Sequence, residues 1–157
     1  MGRAPDVDLA PCVMRLSLEL LWRDPDDDML ELRLSLHSSN QFVTVDFYDY
    51  EPSLAKWGEH LIAFPAGIDD EVAFEKGAKG DNSNLWLTIR AFVANGDGAT
   101  ALEIEYEKRG DRLDRQRAHF AVPLEAAAIN RLGAALKCWS PTDHTPLVFS
   151  DGSLEPA

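Results

Sequence analysis

The stretch LELRLSL (residues 30–36) carries leucine at every second position. A period of two is what a β-strand needs when one of its faces is buried and the other meets water. Similar alternation recurs along the chain, interrupted and then followed by segments with helical spacing. The sequence therefore predicts an α+β domain with an antiparallel, possibly curved sheet of about seven strands in two meanders and two helices. The predicted order is βββ-α-ββββ-α.

The first meander is predicted from alternating segments at residues 13–23, 29–37 and 42–48. Charge provides a test of register, because side chains directly opposite each other in neighbouring strands interact. The register that aligns the leucines places Glu19 opposite Arg33, and Arg33 opposite Asp46. It also requires Arg23 opposite Met29 across the first turn. The first strand is predicted to turn the following side chains toward the core: Met14, Leu16, Leu18, Leu20 and Trp22.

Two helices are predicted from spacing and from proline positions. Pro52 begins the first, where its missing N–H costs little, and Pro65 follows its last turn. The second spans residues 124–139 and is rich in alanine, a strong helix former. We expect a flexible N-terminus at residues 1–11, a single domain at 12–139 and a tail at 140–157. Within that tail, residues 147–149 are predicted to add an edge strand or to pack on the domain.

The second meander is predicted from alternating segments at residues 71–76, 85–94, 101–108 and 115–122. Its expected register places Arg90 opposite Glu105, and Glu105 opposite His119. The same register places Glu107 opposite Arg117. A ladder of alternating charges is therefore predicted on the polar face of this meander.

The chain is strongly acidic, with 27 acidic residues against 15 basic ones and a formal net charge of −12. Such a charge repels nucleic acid and anionic membranes, so neither is expected as a partner, and it favours a basic protein. An acidic surface is also common in proteins that are merely soluble. The sequence contains no run of about 18 apolar residues and no secretory leader, which predicts a cytoplasmic protein. Cys12 and Cys138 form no metal motif and are expected to be buried or half-buried thiols.

The sequence offers no catalytic motif, no metal-ligand spacing and no cofactor fingerprint. His119 beside Glu105 would suit a general base, but the pair is equally a rung of an exposed charge ladder. The aspartate-rich segment at residues 24–28 has enough carboxylates for Ca²⁺, yet it lacks the alternating ligands of an EF-hand loop. We therefore predict no catalytic residue, no metal site and no cofactor.

Aromatic side chains on the predicted polar faces are a better indication of function. Trp86 and Phe92 flank Arg90 on one strand, and aromatic residues with arginine are enriched where proteins bind proteins. Alternatively, a helix or the tail covers these aromatics and makes them part of the core. The candidate protein-binding residues are Trp86, Arg90, Phe92, Glu103, Glu105, Glu107, Asp26 and Asp27.

The layout of the chain resembles the bacterial immunity proteins of the WapI immunity family. The stretches that carry the resemblance are EPSLAKWGEHLIAF (51–64), NLWLTIRAFVANGDGATALEIEYE (84–107) and AVPLEAAAINRLGAALKCW (121–139). Small uncharacterised proteins of bacterial mobile gene cassettes look similar in size and character. The resemblance implies a non-enzymatic protein that binds and neutralises a toxin domain. The acidic charge fits a basic toxin, because opposite charges accelerate association.

Three hypotheses follow. The first is an acidic, cytoplasmic binding protein, possibly an immunity protein that neutralises a basic toxin domain. The second is a small-molecule binder or an enzyme, with a pocket between the sheet and a helix that contains His119 or His60 beside a carboxylate. The third is a homo-oligomeric structural protein that associates through an edge strand or the aromatic face.

Overall fold

A computed structural model describes residues 14–79, 84–141, 145–150 and 152–154. The predictions for residues 1–13, including Cys12, lie outside this part of the chain. The strands are β1 (Arg15–Arg23), β2 (Leu30–His37), β3 (Phe42–Asp49), β4 (Glu71–Gly77), β5 (Leu85–Val93), β6 (Thr100–Lys108), β7 (Gln116–Pro123), β8 (Leu147–Ser150) and β9 (Ser153–Leu154). The helices are α1 (Glu51–Ile62) and α2 (Ala126–Cys138).

The strands form two antiparallel sheets. The first sheet has the order β3-β2-β1-β8-β9, and the second has the order β4-β5-β6-β7. The α+β class, the two meanders and their order with the helices are confirmed, whereas the described residues form nine strands rather than about seven. The additional strands follow α2, and β8 pairs with β1 through Leu18 and Leu147, with Phe149 completely buried.

The predicted register of the first sheet is confirmed over most of its length. Glu19 lies opposite Arg33, and Arg33 lies opposite Asp46. The prediction for the end of β1 was wrong, because a bulge between Leu20 and Trp22 shifts the pairing by one residue. Arg23 therefore lies opposite Leu30 rather than Met29. The bulge also turns Trp22 to the outer face, where it is exposed instead of entering the core.

The register of the second sheet differs from the prediction by two residues between β5 and β6. Arg90 lies opposite Glu103, and Thr88 rather than Arg90 lies opposite Glu105. The cause is a tight turn in which Asn95 Oδ1 accepts hydrogen bonds from the backbone N–H groups of Asp97 and Ala99. Because the shift is an even number of residues, every side chain keeps its predicted face. The predicted pairings of β6 with β7 are confirmed.

One apolar cluster contains residues from the inner faces of both sheets and from both helices. Phe47 of β3 meets Phe74 of β4 edge to face, with ring centroids 5.8 Å apart. Trp57 of α1 stacks on Phe74, with ring centroids 4.2 Å apart. The inner faces are thus buried, which leaves the outer faces of the two sheets as the surfaces available for function.

The two helices approach each other closely at a pair of glycines. A Cβ on Gly58 would lie 2.5 Å from the carbonyl oxygen of Gly133, and a Cβ on Gly133 would lie 2.6 Å from that of Gly58. Asn130 Nδ2 of α2 lies 2.6–3.1 Å from the carbonyl oxygens of Leu61, Ile62 and Phe64, where α1 ends, and its two hydrogens are shared among these three acceptors. These bonds satisfy carbonyls that a helix end leaves without partners.

Asp49 connects the first sheet to α1 and to the second sheet. Its carboxylate is buried, accepts hydrogen bonds from Ser53 Oγ and the Tyr50 backbone N–H, and lies 2.8 Å from Lys76 Nζ of β4.

Cys138, which was expected to be at least half-buried, is exposed, because the last turn of α2 directs it away from the apolar cluster. Among the described residues, no helix is long and apolar enough to cross a membrane.

Candidate functional site

Glutamates alternate along the outer face of β6, in the centre of the second sheet. Glu103, Glu105 and Glu107 are half-buried between β5 and β7, and their neighbours on those strands supply basic groups. We use the name carboxylate cluster for the group at the middle of this face: Glu71, Arg90, Glu103, Glu105 and His119.

Arg90 is the cation at the centre of the carboxylate cluster. Its Nε lies 3.2 Å from a Glu71 carboxylate oxygen, and its Nη1 lies 3.5 Å from Glu103 and 3.4 Å from Glu105. One guanidinium therefore serves three carboxylates. The predicted contact between Arg90 and Glu105 exists, although it is diagonal rather than directly across the strands.

His119 lies at the β7 side of the cluster. Its Nε2 is 3.0 Å from a carboxylate oxygen of Glu103 and 3.6 Å from one of Glu105. The imidazole is exposed. The predicted neighbourhood of His119 and Glu105 is thus confirmed, and Glu103 makes the shorter contact.

Glu107 has its own basic partners at the end of the sheet. Its carboxylate lies 3.3 Å from Arg109 Nε and 3.5 Å from Arg117 Nη2. Partial desolvation raises the pKa of Glu107, but the opposing charges and hydrogen bonds of Arg109 and Arg117 outweigh it, so the pKa lies below its ordinary value. This glutamate is held ionised and compensated.

The aromatics of the second sheet contribute to its structure. Trp86 is buried although it lies on the outer face, and its Nε1 donates a hydrogen bond to Glu75 at 2.9 Å. Lys79 Nζ lies 5.1 Å from its ring centroid, a cation–π contact. Phe92 is half-buried on the same strand. Neither ring is exposed in the way that an anchor for a partner requires.

A group of exposed aromatics is found instead at one end of the first sheet. Trp22 lies opposite Glu31, and Glu31 lies opposite Tyr48, so the three share one row across β1, β2 and β3. Trp22 and Tyr48 are 46% and 56% exposed, and Tyr50 beside them is 44% exposed. We call this surface the acidic end; it consists of Trp22, Asp24, Asp26, Asp27, Asp28, Glu31, Tyr48, Tyr50 and Glu51.

The aspartates of the acidic end form an ordered turn. Asp24 accepts a hydrogen bond from the Asp26 backbone N–H at 2.8 Å, and Asp27 accepts one from Met29 at 3.0 Å. Asp28 adopts a positive φ of 63°, a conformation that aspartate tolerates better than most residues. The turn therefore presents its carboxylates in a fixed arrangement.

The turn is also tied to the aromatics. Tyr50 donates its phenolic hydrogen to the second carboxylate oxygen of Asp27, at 3.1 Å. This hydrogen bond, then desolvation and then the charges of Asp27 and Asp24, raise the pKa of Tyr50. Arg23 is the basic residue within the turn's reach, 3.4 Å from Asp28 and 3.7 Å from Glu51. The carboxylates at this end outnumber the cations that contact them.

The residues predicted as one binding surface thus fall in two places. Asp26 and Asp27 lie at the acidic end of the first sheet, whereas the other six lie on the second sheet. Trp22 was predicted to face the core and is instead exposed. A period-two pattern contains no signal for the bulge that reverses Trp22, so its position among the exposed aromatics was missed.

Three clefts bear on the alternative of a small-molecule site. A cleft of about 370 Å³ lies between the ends of β6 and β7 and the first residue of α2, and no histidine lines it. A cleft of about 250 Å³ on the outer face of the second sheet is bordered by Trp86, Glu105 and His119. A cleft of about 520 Å³ lies beside the β6–β7 turn, and Arg109, Arg115 and Arg117 line it. His60 is exposed on α1. Glu103, Glu105 and His119 form a group with the donor atoms for a metal ion.

Comparisons with known proteins add little to this geometry. No protein-family model matches the chain, and no curated protein does. Among solved structures, the chain is similar to that of the plant transcriptional regulator PBF-2, with 14% sequence identity and a TM-score of 0.44. The likeness covers 79% of this chain and 70% of that chain. At this TM-score it carries no argument about fold or function.

Proposed function

We propose that the protein is a cytoplasmic, non-enzymatic binding protein that holds a basic partner protein at its acidic end. The observation that carries the proposal is the exposure of Trp22, Tyr48 and Tyr50 around a turn of four aspartates. In line with the resemblance to immunity proteins of the WapI family, the partner class that we propose is a basic toxin domain, which the complex would neutralise.

Aromatic and charged groups have different parts in such an interface. Exposed tryptophan and tyrosine bury a large area at a small cost in side-chain entropy, and they are the residues that most often dominate binding energy. Carboxylates around them steer a basic partner during diffusion and set the salt dependence of association. Arg23 does not neutralise this surface, because the carboxylates that it meets in the described part of the chain are those of Asp28 and Glu51.

The outer face of the second sheet supports this role less well. Arg90 already contacts Glu71, Glu103 and Glu105, and a partner would have to displace it to pair with them. The indole of Trp86 is buried and hydrogen-bonded. The carboxylates on the outer face of the second sheet are therefore paired within the protein, whereas those at the acidic end of the first sheet outnumber their cations.

The test begins with capture of partners from the host by the full-length protein at low salt. A captured protein counts only if it is basic, binds in a 1:1 ratio and is released at high salt. Its association and dissociation rates are then measured against the wild type, Trp22→Ala and the double variant Asp26→Asn/Asp27→Asn. Phe42→Ala is the matched control, because Phe42 is an exposed aromatic at the opposite end of β3.

We expect Trp22→Ala to weaken the complex about 30-fold, mainly through faster dissociation. The double aspartate variant is expected to slow association several-fold and to flatten its dependence on salt. Phe42→Ala is expected to bind like the wild type. Equal binding by all variants would remove the acidic end as the interface. Light scattering that shows a wild-type dimer, broken by Trp22→Ala, would assign the same surface to a second copy of the chain and overturn the proposal.

A further inference from the structure

Three potential metal ligands converge on the outer face of the second sheet. Glu103 and Glu105 alternate on β6, and His119 of β7 lies directly opposite Glu105. One donor atom from each residue lies within 4.8 Å of the other two. The grouping escapes a sequence motif search, because the ligands come from two strands and are separated by the β6–β7 turn.

The strand geometry explains why these side chains meet. Residues i and i+2 of a strand project from the same face, and the residue opposite in the next antiparallel strand projects beside them. Ligands about 2.0–2.1 Å from a tetrahedral zinc ion lie about 3.3 Å from one another. The distances from His119 Nε2 to Glu103 and Glu105, 3.0 and 3.6 Å, lie on either side of that value.

We propose that Glu103, Glu105 and His119 bind a divalent transition metal ion, with zinc as the best match. Imidazole and carboxylate are common zinc ligands, and three protein ligands leave a fourth position for water. His119 is exposed, so the three ligands lie where solvent can reach them. The site is independent of the acidic end and of the proposed protein partner.

A buried hydroxyl opposite one of the three ligands, Glu105, supports the proposal. Thr88 lies directly opposite Glu105 on β5 and is 1% exposed, and its hydroxyl has no hydrogen-bond partner among the described residues. Buried polar groups are normally paired. Water bound to a metal at Glu105 would supply the missing partner.

The local charge is also suited to a divalent cation. Among the described residues, Arg90 is the only arginine or lysine that contacts Glu71, Glu103 and Glu105, so three carboxylates share one guanidinium and the imidazole of His119. Metal binding would displace Arg90 Nη1 from Glu103 and Glu105. Arg90 would keep its closest carboxylate contact, from Nε to Glu71 at 3.2 Å. Arg90 is therefore a competitor of the metal in the apo protein.

The experiment is a calorimetric titration of the full-length, chelator-treated protein with zinc and, separately, with manganese. All variants carry Cys12→Ser and Cys138→Ser, because thiols bind zinc in their own right. His119→Gln and Glu105→Gln test the proposed ligands. The control is Asp26→Asn/Asp27→Asn, which removes charge from the aspartate-rich turn, the rival site for a cation. Circular dichroism establishes that each variant is folded.

We expect one zinc ion to bind per chain. We expect His119→Gln or Glu105→Gln to lower the zinc affinity at least 30-fold and the aspartate control to leave it unchanged. Thr88→Val is expected to weaken binding about 3-fold. Arg90→Met is expected to strengthen binding about 10-fold, because it removes the competing cation. The proposal fails if the wild type takes up no zinc, or if the ligand variants bind as tightly as the wild type. It also fails if the aspartate control alone abolishes binding.

Discussion

The acidic end of the first sheet and the outer face of the second sheet each combine a tryptophan, carboxylates and an arginine, yet they arrange them in opposite ways. On the second sheet, Trp86 is buried and Arg90 contacts three glutamates. At the acidic end of the first sheet, Trp22 is exposed, and Arg23 is the cation that meets the carboxylates. The difference shows that composition alone does not mark a binding surface: what matters is which groups are already paired and covered.

The largest effect that distinguishes the two surfaces is expected from their tryptophans. Trp86→Ala should lower the free energy of unfolding by about 3 kcal/mol, because it removes a buried ring and leaves a cavity. Trp22→Ala should lower it by about 0.5 kcal/mol or less, as expected for an exposed side chain. Urea denaturation of both variants measures the two values. Similar losses of stability would mean that the two rings are equally buried, which would contradict the distinction between a structural Trp86 and an exposed Trp22.

A matched pair of milder variants guards against misfolding of Trp86→Ala. Trp86→Phe keeps most of the apolar area but removes the N–H group that donates a hydrogen bond to Glu75. Trp22→Phe makes the same change at the exposed position. We expect the first variant to be the less stable of the two, with the order preserved in thermal unfolding.

Much of the fold was accessible from the sequence because alternation and charge agree on register. In the first sheet, the pairing of Leu18 with Leu34 and of Arg33 with Asp46 follows from both signals. Between β5 and β6 the prediction failed by two residues, because shifting a strand by an even number keeps every apolar side chain inward. The register was decided there by Asn95 in the turn.

The candidate site was less accessible, for two physical reasons. The bulge between Leu20 and Trp22 adds a residue without disturbing the apolar pattern enough to be recognised. The cover over Trp86 comes from neighbours such as Lys79 and Glu75, whose contacts depend on the folded loop and strand. Neither the exposure of Trp22 nor the burial of Trp86 can be deduced from alternation, which assigns a face and not an environment.

An intermediate effect is expected from the arginines on the two outer faces. Arg90→Met should lower the free energy of unfolding by about 1.5 kcal/mol, between the values typical of exposed and of buried ion pairs. Arg33→Met removes the two hydrogen bonds to Asp46, of 2.9 and 3.0 Å, at a more exposed position. We expect the smaller loss there, and screening by salt should reduce it further. Urea denaturation at low and high salt is the measurement; a larger loss for Arg33→Met would contradict the central role given to Arg90.

The smallest expected effects are the pKa shifts of single groups, which titration measures directly. The hydrogen bond to Asp27, desolvation and the charges of Asp27 and Asp24 raise the pKa of Tyr50 above its ordinary value of about 10. The pKa of Glu107 shifts the other way. Desolvation raises it, but the larger combined effect of Arg109 and Arg117 brings it below its ordinary value. The opposite directions reflect, first, the hydrogen bond that Tyr50 donates to Asp27 and, second, the pairing of Glu107 with two arginines.

The direction of each pKa shift determines the pH range in which that group stabilises the fold. The raised pKa of Tyr50 means that its contribution is complete at neutral pH and is lost as the pH rises through that pKa. The lowered pKa of Glu107 means that its contribution is present above the unfolded pKa and is lost as the pH falls through the folded one. NMR titration of the tyrosine and glutamate side chains measures both, with Asp27→Ala and Arg117→Met expected to move each pKa back toward its ordinary value. A Tyr50 that titrates normally in the wild type would show that Asp27 does not hold its hydroxyl, and the ordered link between the turn and the aromatics would lose its support.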